Sequence, residues 1–134
     1  MRRPLLVTTV IAGMLCGVCV MAEEPWTAPE RAKKKTNPLP VTKEVIAQGK
    51  KLYERECLSC HGKTGRGDGS AAKDLEVPPG DLTNATRMKA QTDGELFWKI
   101  TEGRKPMPTF KKALSEEERW QLVHYLRTLV KEAK

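Results

Sequence analysis

Aromatic residues are scarce in this chain, at 5% of 134 residues, and there are only two histidines. A single small domain with so few rings builds a thin side-chain core, so a large apolar group bound inside would supply what the side chains do not. No segment of useful length alternates with a strand-like period, which leaves helices and loops and makes the fold class all-α. There is no internal repeat. The formal charge is +7, yet the basic residues alternate with acids and no basic run is interleaved with aromatics. Nucleic acid is therefore not an expected partner, whereas acidic protein surfaces are.

Cysteine is limited to four positions, and two of them fall in the one long apolar run. Residues 1–22 have the three parts of an export signal: Arg2 and Arg3, an apolar stretch from Leu5 to Val20, and the small-residue site Val20-Met21-Ala22, with cleavage expected before Glu23. An uncleaved anchor stays open, because Leu5 to Ala22 is near the minimum length for spanning a bilayer. Cys16 and Cys19 lie in this run. Beyond it only Cys57 and Cys60 remain, and the count without Arg2 and Arg3 drops to about +5. An exported chain ordinarily oxidises such a pair to a disulfide unless something else consumes the sulfurs.

Residues 23–40, EEPWTAPERAKKKTNPLP, carry four prolines and a run of charge and read as a linker or loosely draped arm, with Trp26 either docked on the domain or, as is more common for a lone aromatic in such a segment, mobile. The domain then occupies residues 41–134. Thr42 caps a helix whose Val45, Ile46, Gly49, Leu52 and Tyr53 share one face. The stretch from Gly62 to Thr86 is rich in glycine, proline and aspartate and reads as loop with a helical turn near Ala71 to Leu75. Thr92 to Glu95 offers a capping box for a helix with Leu96, Phe97 and Ile100 on one stripe and Gly103 as its stop. Ser115 to Glu118 starts the last helix, where Leu122, Val123, Tyr125, Leu126, Leu129 and Val130 form one face and His124 points away from it toward solvent.

The first helix runs into Cys57-Leu-Ser-Cys-His61. Four chemistries use a C-x-x-C pair. A structural zinc site needs four ligands, and adjacent Cys60 and His61 would have to bend back onto one ion. A thioredoxin-type pair needs flanking strands and a low-pKa thiol at a helix start, whereas this pair ends a helix. An iron–sulfur cluster needs four cysteines. Covalent haem fits: two thiols on one helical turn reach the same porphyrin edge and add across its vinyl groups, and the next residue's imidazole reaches the iron. Of the two methionines beyond residue 22, Met107 stands between Pro106 and Pro108 on a stiff extended loop, while Met88 lies in a polar stretch without such support; Met107 is the expected second iron ligand.

Gly49-x-x-x-Tyr53, C57-L-S-C-H61, P106-M-P108 and the 118–126 segment ERWQLVHYL together resemble a class I, His/Met-ligated, monohaem c-type cytochrome of the bacterial periplasmic type, over residues 41–130. The resemblance implies a small helical fold wrapped around one covalent haem c, with its N- and C-terminal helices crossing at Gly49. It also implies a proline carbonyl accepting a hydrogen bond from His61 Nδ1, with Pro78 and Pro79 as candidates, and Trp98 donating to a haem propionate or else standing as a partly exposed helix aromatic. Lys50, Lys63, Lys105, Lys111 and Lys112 either ring the haem edge or are solvated surface.

A doubly ligated iron has no position for a reactant, so the implied function is one-electron transfer rather than enzyme catalysis. The expected protein is a periplasmic monomer that takes an electron from a quinol-oxidising complex or dehydrogenase and passes it to an oxidase or reductase through acidic docking surfaces. Two alternatives remain: a membrane-tethered haem subunit of a larger respiratory complex, with the proline-rich arm as leash, and a haem peroxidase or ligand sensor with His124 as distal base.

Overall fold

The computed structural model describes residues 25–131; the export-signal reading of residues 1–22 lies outside them. Among these residues six helices follow in order: α1 Glu30–Lys33, α2 Lys43–Glu56, α3 Leu58–His61, α4 Ala85–Lys89, α5 Asp93–Glu102 and α6 Glu116–Leu129. A 3-10 turn at Ala72–Asp74 interrupts the long loop where the helical turn was expected. The all-α class is as expected, and α2 and α6 pack against each other.

Local chemistry sets the helix ends. The Thr42 hydroxyl accepts from Val45 N at 3.2 Å, and the Thr92 hydroxyl accepts from Glu95 N at 3.1 Å. Ser115 and Glu118 close a full reciprocal capping box at the start of α6. The α5 box is only half formed, because the Glu95 carboxylate pairs forward with Lys99 at 2.9 Å. Gly103, at φ 66°, ends α5 in a conformation that disfavours side chains.

The α2–α6 contact depends on a missing side chain. A Cβ at Gly49 would stand 2.8 Å from Gln121 C and 2.9 Å from Tyr125 Cβ, and closer still to the Gln121 carbonyl oxygen. The two backbones therefore approach as the sequence suggested, and the Tyr53 and Tyr125 rings meet beside them with centroids 5.2 Å apart. Tyr53 is wholly buried and its hydroxyl donates to Gly62 O at 2.7 Å, linking the core to the residue after His61. Phe97 of α5 stacks on Trp120 of α6 at 4.0 Å, joining the third main helix to the pair.

Two expectations need correction. The arm is packed, not loosely draped. Ala28 and Ala32 are buried, the Thr92 hydroxyl donates to Lys33 O at 2.8 Å, and Asn37 Nδ2 donates to Trp120 O at 3.0 Å. Gly94 makes room for it, since a Cβ there would collide with the Ala32 and Lys35 carbonyls. These contacts use small side chains and backbone groups, so no apolar stripe announces them. The second correction follows from the first. His124 is buried, and its Nε2 lies 2.9 Å from Leu39 O. The helix face judged to be solvent-facing is the one the arm covers.

Candidate cofactor site

The chain leaves α2 at Cys57, whose N–H still donates to Tyr53 O at 2.9 Å, and re-enters helix for one turn in α3. That turn places Cys57, Cys60 and His61 on a common cleft. The carbonyls at the end of so short a helix have no partners within it. The glycine-rich loop supplies them: Gly67 N donates to His61 O at 2.9 Å, Gly69 N to Cys60 O at 3.1 Å and Ala71 N to Ser59 O at 2.9 Å. The loop thus folds back on the motif and continues into Leu75, Val77, Pro78, Pro79 and Gly80, which wall the cleft.

Another part of the wall comes from residues 104–108. Arg104 N donates to Met107 O at 3.1 Å and Met107 N to Arg104 O at 2.9 Å, which closes a tight loop around Pro106, joined to Lys105 by a cis peptide. Met107 is half-buried and lines the same cleft as His61, although 46 residues separate them in sequence. Met88 does not line it. Its side chain is wholly buried in the core under α6. The space in the cleft is about 380 Å³, within the ~300–1,000 Å³ of cofactor sites.

Electrostatics distinguish this site from a reactive dithiol. Burial, reinforced by Glu56 and Cys60, pushes the Cys57 thiol up to about 12, the reverse of an activated nucleophile. The thiols are not bridged to each other. Burial also holds His61 below the ordinary imidazole range; the Gly80 backbone opposes that shift and the Arg87 charge adds to it. His61 Nδ1 is buried without a hydrogen-bond partner in bonding geometry, so the neighbouring Gly80 backbone is close enough to be felt but is not aligned. Among the described residues no three His, Cys, Asp or Glu side chains cluster as a metal site. Two unbridged thiols, an orphaned buried imidazole and a thioether on one cleft suit covalent haem.

Most of the expected site residues converge. Cys57, Cys60, His61, Pro78, Pro79 and Met107 all line the cleft. Trp98 does not: it lines a separate groove with Arg31, Lys35 and Glu102, because its position on α5 turns it toward the arm. The tryptophan at the cleft is Trp26, accompanied by Pro25. Sequence reasoning also missed Arg87 and Phe110 in the lining. Arg87 belongs to α4, a helix hidden in a polar stretch, whose Asn84 cap accepts from Arg87 N at 2.9 Å. Of the five lysines considered for the haem edge, only Lys105 lines the cleft; Lys50 pairs with Glu54 and Lys111 with Glu102, each at 3.8 Å.

No curated protein matches the sequence. Among solved structures the chain is similar to the Kuenenia stuttgartiensis reducing HAO-like protein complex Kustc0457/Kustc0458, at 36% identity with a TM-score of 0.61, over 72% of this chain and 50% of that one. It spans about half the length of that relative. It is also similar to the KustC0563 c-type cytochrome, at 30% identity and a TM-score of 0.56, over 62% of this chain and 98% of that one. A family model described as cytochrome c oxidase, cbb3-type, subunit III matches residues 44–126, a span running from the start of α2 to near the end of α6. With that match and a cleft built from the C57-L-S-C-H61 turn, the chain belongs to the cytochrome c family of cbb3-type subunit III, an all-α family whose cofactor is covalent haem c.

Proposed function

We propose that this protein is a one-electron carrier holding a single haem c through Cys57 and Cys60, with His61 and Met107 as the axial ligands, in the periplasm between a donor dehydrogenase or quinol-oxidising complex and an acceptor oxidase or reductase. The observation that carries this reading is the convergence of both cysteines, the imidazole and the Met107 thioether on one cleft. Haem iron supplies the chemistry, a reversible change between Fe(II) and Fe(III).

The chain's own residues set the conditions for that change. Cys57 and Cys60 fix the cofactor's orientation. His61 is held by the short helix α3 and by the loop bonded to its carbonyl, and Met107 by the two backbone bonds of its loop. Leu75, Val77, Pro78, Pro79 and Phe110 exclude water from the cleft, which favours the less charged reduced state. Arg87, Arg104 and Lys105 give its rim a basic character suited to carboxylates of the cofactor or of a partner. A peroxidase reading loses its distal base, since His124 lies against Leu39 O and does not line the cleft.

Two observations favour a second reading, a haem subunit held in a membrane complex: the matching family model is described as an oxidase subunit, and one similar structure as a protein complex. Among the described residues no helix is long and apolar enough to cross a membrane, and the candidate anchor, residues 1–22, lies outside them. Mass spectrometry of the native protein separates the two, a start at Glu23 marking the diffusible carrier and an intact N-terminus the tether. For the ligand assignment, Met107→Ala should lower the midpoint potential substantially and open the iron to external imidazole; an unchanged potential removes Met107 from the site.

A further inference from the structure

The family match begins at residue 44, yet residues 25–40 reach the cleft. Their path is anchored at several points. Starting from the far end, Leu39 O meets His124 Nε2 at 2.9 Å and Asn37 Nδ2 bonds Trp120 O at 3.0 Å, both on α6. Lys35 Nζ then lies 5.7 Å from the Phe97 ring centroid, Lys33 O accepts from Thr92 at 2.8 Å, and the Ala32 carbonyl passes over Gly94, all on or beside α5. The segment finally delivers Pro25 and Trp26 to the cleft wall.

Trp26 is seated there by a charge. The Lys99 ammonium stands 5.5 Å from its ring centroid, within cation–π range. Lys99 is itself fixed by Glu95 Oε1 at 2.9 Å and Gln91 Oε1 at 2.6 Å, and its side chain is only 16% exposed. A mostly desolvated, doubly held cation is a rigid platform for an indole. The ring is thus positioned by α5, although it enters from outside the family-matched part of the chain.

We propose that residues 25–40 are a strap built into the haem site, with Trp26 as a positioning residue that covers the cofactor's edge and limits the water reaching it. The inference rests on the haem reading above. Its energetic consequence follows from solvent access: water stabilises the more charged ferric form, so removing the cover lowers the potential. The strap is therefore a tuning element that lies outside the family-matched residues 44–126.

The experiment uses the intact haem-loaded protein. Trp26→Ala should shift the equilibrium with a fixed redox mediator toward the oxidised form by about threefold to tenfold, tenfold being about 59 mV for a one-electron couple. Trp26→Phe should restore most of it, because a phenyl ring keeps both the cover and the face beneath Lys99. Hydrogen exchange on the unmutated protein gives a second reading: the amides of Ala32, Lys33 and Lys34, bonded to Pro29 O and Glu30 O, should exchange at least tenfold more slowly than in an unfolded chain, and faster in Trp26→Ala. A haem-loaded Trp26→Ala protein with unchanged potential overturns the proposal, and so do strap amides that exchange at the unfolded rate even if that variant fails to accumulate. The absorption spectrum of the same samples reports the cofactor and its ligation separately, so a loss of Met107 ligation is distinguishable from a strap without effect.

Discussion

Gly49→Ala tests the helix contact that frames the haem site. The added Cβ meets atoms that cannot rotate away: Gln121 C at 2.8 Å, the Gln121 carbonyl oxygen nearer still, and Tyr125 Cβ at 2.9 Å. Forcing one methyl group into such a contact costs about 1–3 kcal/mol. Alanine in place of glycine returns about 1 kcal/mol through helix propensity. Because the obstruction is backbone on α6 rather than the tip of a side chain, we place the overlap at the upper end, for a net loss of about 2 kcal/mol. With a urea slope of about 1–3 kcal/mol/M for a small domain, the midpoint should fall by about 1 M at unchanged slope. Urea titration of the haem-loaded protein by helical circular dichroism reads it directly. A midpoint that rises, as propensity alone would give, refutes the close approach of α2 and α6 at this position.

Two further perturbations probe how the site is supported. Tyr53→Phe removes the 2.7 Å bond to Gly62 O and should cost about 1 kcal/mol; burial, foremost, holds the Tyr53 hydroxyl above the ordinary phenol range, so its contribution is complete below the unfolded value of about 10 and is lost as pH rises toward the folded one. The alkaline fall in stability, followed by urea midpoint above pH 10, should accordingly be shallower in Tyr53→Phe, and an unchanged slope would mean that this phenol is not desolvated. Arg127→Ala should cost about 2 kcal/mol and Arg127→Lys most of that, because the guanidinium bonds Met88 O at 2.6 Å, Gln91 O at 2.7 Å and Asp93 Oδ1 at 2.8 Å, a fork that an ammonium does not reproduce. A lysine variant as stable as the parent would show that only charge counts there.

How much of this was legible in the sequence varied with the kind of interaction. Helix starts were readable at Thr42 and Ser115 because a cap is a local arrangement of three or four residues. The pentapeptide from Cys57 to His61 was readable for the same reason, and the place of Met107 at the cleft because two prolines isolate it. The arm was not: its contacts are made by alanines, by carbonyls and by cations over rings, none of which gives a periodic signal. From that one omission followed the misplacement of His124 and the choice of Trp98 over Trp26. Only the scarcity of large aromatics hinted that a tryptophan in such a segment would be put to use. Helix α4 was hidden because its single core residue, Met88, sits among polar neighbours and is buried by tertiary packing rather than by a stripe. Pro78 and Pro79, sought as partners of the His61 ring, line the cleft, and the Gly80 backbone beside them also acts on that ring.

A haem bonded to the polypeptide through Cys57 and Cys60 is the centre of the proposed function. The direct measurement is the mass and the reduced-minus-oxidised absorption spectrum of protein denatured in acid and passed through solvent extraction. Covalent attachment predicts a chain that stays coloured and carries the mass of one haem, with both properties lost in Cys57→Ser/Cys60→Ser. A chain that is colourless after extraction, or an unmutated protein whose two cysteines are recovered as a disulfide, would contradict it.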